Sequence, residues 1–148
     1  DNTRKAMVAL LNARLADAID LKLSVKQAHW NVKGPNFIAL HELFDAIATR
    51  VEGQIDEIAE RATSLSGIAV GTSQAVGAAT TLPAYPTDVT AQAEHLKLLA
   101  DRLSAYGKSA RAAIDQADEA GDKDTADLFT GVSRAVDKDL WFIESHLA

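Results

Sequence analysis

The chain has 148 residues, 47% of them hydrophobic and 24% charged, with 5% aromatic residues and three prolines. That balance excludes disordered, collagen-like and mucin-like classes, and the length fits one domain over residues 1–148. Cysteine is absent, which removes disulfides and thiolate chemistry, and the formal charge of −6 has the wrong sign for a protein that grips nucleic acid through its bulk field.

Apolar residues recur at Val8, Leu11, Leu15, Ile19, Leu23 and Ala28, the period of an amphipathic helix. Gly34 and Pro35 stop that helix. Asn36 is placed to cap a second, running from about Phe37 to Ser64 with Leu40, Leu43, Phe44, Ile47, Val51, Ile55 and Ile58 on its buried side. Between Leu65 and Pro86 the period fails among glycines and prolines, so a long crossover is expected, with one short helix around Gln74 to Ala79. A third long helix, capped by Thr87 or Asp88, carries Leu96, Leu99, Leu103, Tyr106, Ala110 and Ile114, with His95 expected on its exposed side. Gly121 ends it. The last helix carries Leu128, Phe129, Val132, Val136, Leu140 and Ile143 to the C-terminus. Two tight joints and one long crossover describe an all-α four-helix bundle of ferritin-like topology, with a short helix in the crossover between helices 2 and 3.

Chemistry concentrates in the second helix. His41 with Asp45, and Asp56 with Glu60, are i, i+4 pairs, so each pair shares a helix face. The two pairs form one stripe, yet Asp45 and Asp56 are about 16 Å apart along the axis, too far to share one ion. A two-fold crossing of antiparallel copies near residues 50 and 51 removes the difficulty. It sets position 45 opposite 56 and 41 opposite 60, with the small Ala48 and Gly53 also facing. His29, near the end of the first helix, is expected to fold toward His41 and Asp45. Two imidazoles and three carboxylates then form a hard sphere suited to iron or manganese, with zinc as competitor. Spacing alone leaves a bland alternative of equal weight, in which these carboxylates are solvated helix residues and His29 simply neighbours Trp30. Asp45 fits that alternative least well, because it borders the buried face.

At these residues the chain closely resembles the Dps family of mini-ferritins. The signature is His29-Trp30-Asn31-Val32, Gly34-Pro35-Asn36-Phe37, His41-Glu42-Leu43-Phe44-Asp45 and Asp56-Glu57-Ile58-Ala59-Glu60-Arg61-Ala62, and the likeness extends over the whole chain to Asp137-Lys138-Asp139-Leu140-Trp141. The resemblance implies a homo-dodecameric shell. In it His29, His41 and Asp45 of one subunit and Asp56 and Glu60 of its two-fold mate form a ferroxidase centre that oxidises ferrous iron preferentially with hydrogen peroxide and stores the ferric mineral inside. Trp30 matches the tryptophan beside that centre, with interface packing as its alternative role. Asp122 and Asp127 match the three-fold pore through which iron enters, with capping and first-turn charge as theirs. Glu52 and Glu57 are inner-surface candidates.

The resemblance also raises DNA compaction as an alternative function. Against it, the chain begins Asp1-Asn2-Thr3-Arg4-Lys5 and ends His146-Leu147-Ala148, a weak basic point and no basic C-terminal tail. The first residue is not Met, which leaves room for further N-terminal sequence. A bacterioferritin-like carrier would want a Glu and Glu-x-x-His set inside one bundle, and no such set is present. With no apolar run near about 18 residues and no secretory signal, a cytoplasmic location without membrane contact is the expectation, with nucleoid association tied to the DNA alternative.

Overall fold

The computed structural model describes residues 1–148 as five helices: α1 (Asn2–Asn31), α2 (Phe37–Ser64), α3 (Ser73–Ala79), α4 (Gln92–Glu119) and α5 (Lys123–Glu144). α1 packs along α2 and α4 along α5, and the crossover containing α3 joins the two hairpins, so α1 also meets α4 and α2 meets α5. This is the ferritin-like bundle expected from the apolar periods.

One continuous core unites the four long helices. Leu11, Leu15, Leu21 and Val25 of α1 pack with Leu40, Phe44, Ile47 and Val51 of α2, with Leu99, Leu103 and Tyr106 of α4, and with Phe129, Val132 and Val136 of α5. Truncating one of the buried phenylalanines to Ala would cost about 3–5 kcal/mol. Along α1 the buried stripe differs from the expected one. Met7, Leu11, Leu15, Ala18, Leu21, Val25 and Ala28 face inward, while Leu23 is 51% exposed. Asp17 joins the buried set because Thr81 donates to it through its amide at 2.7 Å and its hydroxyl at 2.9 Å, and Arg14 pairs with it at 3.1 Å. These bonds tie the crossover to α1.

Helix ends follow the chemistry of exposed amides. Asp1 accepts from the Arg4 amide at 2.8 Å, and Asp122 accepts from the Thr125 amide at 3.1 Å. Gly121, at φ +82°, takes the left-handed turn between α4 and α5. Asn36 holds the N-cap position of α2 but makes no side-chain cap; its own amide donates to the Gln92 side chain at 3.0 Å. Gly34 stands so close to that side chain that a Cβ would collide with it.

The expected cap at Thr87 or Asp88 is not observed. α4 begins at Gln92 with Ala91 as its cap residue. The Lys33 amide donates to the Thr90 carbonyl at 2.7 Å and the Gln92 amide to the Lys33 carbonyl at 3.0 Å, and this pairing holds the chain extended up to the helix start. His95 is likewise not on an exposed side but fully buried, because the returning crossover lays Tyr85 over it. α5 stops at Glu144, and residues 145–147 continue as turn.

Candidate metal centre

His29 closes α1 and His41 lies in the second turn of α2, so the tight 32–36 joint brings the two imidazoles face to face. Their rings stack with centroids 3.8 Å apart and planes 14° from parallel. The Nδ1 of His29 is 2.5 Å from the His41 carbonyl, and the Nδ1 of His41 is 2.7 Å from the His29 carbonyl. A carbonyl only accepts, so Nδ1 is the donor in both rings and Nε2 is left as the free ring nitrogen. Anchoring one ring nitrogen on the backbone is how metal-binding histidines are commonly oriented.

Asp45 lies one turn beyond His41. Its Oδ1 is 3.9 Å from Nε2 of His29 and accepts from the Lys26 ammonium at 2.8 Å. The Lys26 hydrogen bond and charge hold the Asp45 carboxyl below the usual carboxylate range, against the opposing effect of desolvation. The Lys26 ammonium also lies 5.6 Å from the ring centroid of Trp30, which is 63% exposed. Lys26 is a contributor that the spacing of the ligand residues does not single out. Its signal was available in the i, i+3 step from Lys26 to His29, which puts both on one side of α1.

Asp56 and Glu60 lie on the same helix, exposed, beyond the reach of the imidazoles. Neither takes part in an ion pair within the chain. Accordingly one chain by itself gathers no group of three or more His, Asp or Glu able to hold a metal. One subsidiary expectation is overturned: Ala48 belongs to the protomer's own core, whereas Gly53 is exposed with nothing of its own chain near it. Five residues along a helix is a rotation of about 140° between them, so the two do not share a face.

The α4–α5 joint is also specific. Asp122 caps α5, accepts from the Thr125 hydroxyl at 2.5 Å and pairs with Arg61 of α2 at 2.9 Å. Those bonds and the Arg61 charge hold its carboxyl below the usual range although burial opposes them. Asp127 is exposed on α5. Glu52 pairs with Lys22 at 3.1 Å, while Glu57 is exposed beside Arg50 and Gln54. Arg4 and Lys5 belong to the first turns of α1 rather than to an extended arm. No helix is long and apolar enough to cross a membrane.

The family profile described as the ferritin-like domain matches residues 8–148. A DNA protection during starvation protein of Agrobacterium fabrum is 49% identical over 146 residues, covering 99% of this chain and 90% of that protein. The chain belongs to the Dps family. Its fold agrees with solved members. The Mycobacterium smegmatis Dps structure superposes with a TM-score of 0.95 at 31% identity, over 99% of this chain and 90% of that one. A Vibrio cholerae Dps protein, described as belonging to a broad superfamily of ferritin-like diiron-carboxylate proteins, superposes with a TM-score of 0.94 at 26% identity, over 99% and 92% of the two chains. In this Dps chain the bundle interior beside Asp45 is filled by Phe44, Ile47 and Val51, so the histidine–carboxylate cluster lies at the side of the bundle and not along its axis.

Proposed function

We propose that this Dps protein oxidises ferrous iron with hydrogen peroxide and stores the ferric product, using centres shared by two subunits of a homo-dodecamer. The observation that carries the reading is the pair of backbone-anchored imidazoles beside Asp45, which leaves an incomplete ligand set on the open side of the bundle. His29, His41 and Asp45 of one subunit and Asp56 and Glu60 of the partner subunit form the proposed centre, with the whole chain, 1–148, acting as one ferritin-like unit. Iron is the substrate.

The ligand chemistry suits that substrate. Carboxylate oxygens and imidazole nitrogens bind ferrous iron, and the added negative charge favours the ferric product. Two ferrous ions held together each give one electron to one peroxide. The O–O bond breaks and two hydroxides result, with no hydroxyl radical released. Lys26 must leave Asp45 before that carboxylate binds iron fully, so we propose one tight and one weaker iron position. Trp30, next to His29, is proposed to accept stray oxidising equivalents and thereby spare the protein.

Asp127 is the stronger proposed iron-pore residue. Asp122 is the weaker one, since its carboxylate already serves the α5 cap and Arg61. Glu57 is proposed as a mineral-nucleating residue ahead of Glu52, which pairs with Lys22. The names of the relatives favour a second role in protecting DNA, and with it a cytoplasmic, nucleoid-associated location; a gel-shift titration with duplex DNA at two salt concentrations tests it. For the iron reading, ferrous iron added anaerobically and followed by peroxide should give a dissolved ferric core that co-elutes with the protein shell. Ferric precipitate at the protein-free rate would contradict it.

A further inference from the structure

His95 takes no part in the proposed iron chemistry, yet it is fully buried in the first turn of α4 and both its ring nitrogens are engaged. Nε2 lies 2.9 Å from the Val89 carbonyl and Nδ1 lies 2.7 Å from the Tyr85 hydroxyl. Because the carbonyl only accepts, Nε2 carries the hydrogen, and Nδ1 is the acceptor for the Tyr85 O–H. Burial pushes the Tyr85 phenol above its usual range, so it keeps the proton it donates. The two rings lie nearly parallel, 7° apart in plane, and the Arg102 guanidinium sits 4.8 Å from the Tyr85 centroid. Arg102 also donates to the carbonyls of Pro83 and Ala84, each at 3.0 Å. Residues 83–90 are thus pinned to α4 by His95 and Arg102.

The pinned segment leads directly into the Lys33–Thr90 and Gln92–Lys33 backbone bonds and the Asn36–Gln92 bond. These clamp the joint between His29 and His41.

We propose that His95 is an acid-released latch: protonation of Nδ1 removes the acceptor of the Tyr85 hydroxyl and loosens residues 83–90 together with their hold on the α1–α2 joint. An imidazolium donates from both nitrogens, so the Tyr85 hydroxyl would have to turn its hydrogen away from its only ring partner. The new charge would be buried, with the Arg102 cation two turns on along α4 across the Tyr85 ring. Glu94, its neighbour on α4, is the charged group that favours protonation, and desolvation outweighs it. The direction is therefore a folded-state value held below the ordinary imidazole range. Such a group gives its full contribution above about pH 6.5 and loses it as pH falls beneath that value. Opening rises by up to about tenfold per pH unit until the folded-state value is reached.

The latch does not depend on the iron reading, and its test uses the assembled protein without metal. Hydrogen exchange followed by mass spectrometry, corrected for intrinsic rates, is read on peptides covering 32–37 and 83–91 between about pH 8 and about pH 5. Protection of both peptides in the wild type should fall as pH drops below about 6.5, by up to about tenfold per pH unit. In His95→Gln the amide can still donate to Val89 and accept from Tyr85 without titrating, so protection should not change with pH. Tyr85→Phe should be less protected already at the alkaline end and lose less on acidification. A flat wild-type profile overturns the latch, as does an equal acid loss in His95→Gln. Should His95→Gln fail to assemble, an acid loss in Tyr85→Phe as large as in the wild type overturns it.

Discussion

The two ends of the ligand stripe on α2 are built in opposite ways. At the His41 end, an imidazole stack, two backbone hydrogen bonds and the Lys26 ion pair fix three side chains before any metal arrives. At the Asp56 end, the carboxylates stand exposed and unpaired. The preorganised end pays its ordering cost during folding of one chain. The open end makes no ion pair in that chain, so the proposed centre would order those carboxylates only on assembly.

That contrast predicts separable effects on chemistry and stability. Asp56→Ala should slow peroxide-dependent ferrous oxidation by about a hundredfold or more, at least as much as losing an outer-shell partner does, while the unfolding free energy stays within about 0.5 kcal/mol. Stopped-flow absorbance and chemical denaturation read the two quantities, and equal oxidation rates would remove Asp56 from the centre. Next in size is a complementation effect. In a mixed dimer of His41→Ala and Asp56→Ala chains one centre carries both lesions and the other carries none, so random reassembly of equal amounts should restore about a quarter of the centres. Recovery no greater than the mean of the two mutants alone would break the shared-site comparison.

His41→Ala should also cost about 1 kcal/mol of stability without metal, because the His29 side loses its ring stack and a backbone bond. A stability cost at Asp56 matching that at His41 would erase the distinction between the ends. The smallest effect belongs to Lys26→Met. Freeing a half-exposed Asp45 from its ammonium should tighten ferrous binding about twofold, read by anaerobic titration, and weaker binding would assign Lys26 a supporting role instead.

Much of this arrangement was legible because it is local. The i, i+4 spacing on α2, the Gly34-Pro35 joint and the apolar periods each need only neighbouring residues, and the structure brings His29, His41 and Asp45 together as those features imply. The features that escaped are made by non-helical chain packing on helices. The extended pairing of Lys33 with residues 90–92 delays the start of α4. The returning crossover buries His95, and Asp17 is rescued from solvent by Thr81. No helical period encodes contacts that a loop makes on a helix, whether the loop is near in sequence, as Tyr85 is to His95, or far, as Thr81 is from Asp17. Ala48 escaped for a different reason: its small side chain suits either an interface or a core, and only packing decides between them.

Structure determination of the assembled protein soaked with ferrous iron or zinc tests the shared centre most directly. The account predicts an ion bound by His29, His41 and Asp45 at about 2.0–2.6 Å, with the sphere completed by Asp56 and Glu60 of the partner subunit. An ion held entirely within one chain, or a 56/60 pair more than about 10 Å from every neighbouring 41/45 pair, would contradict it.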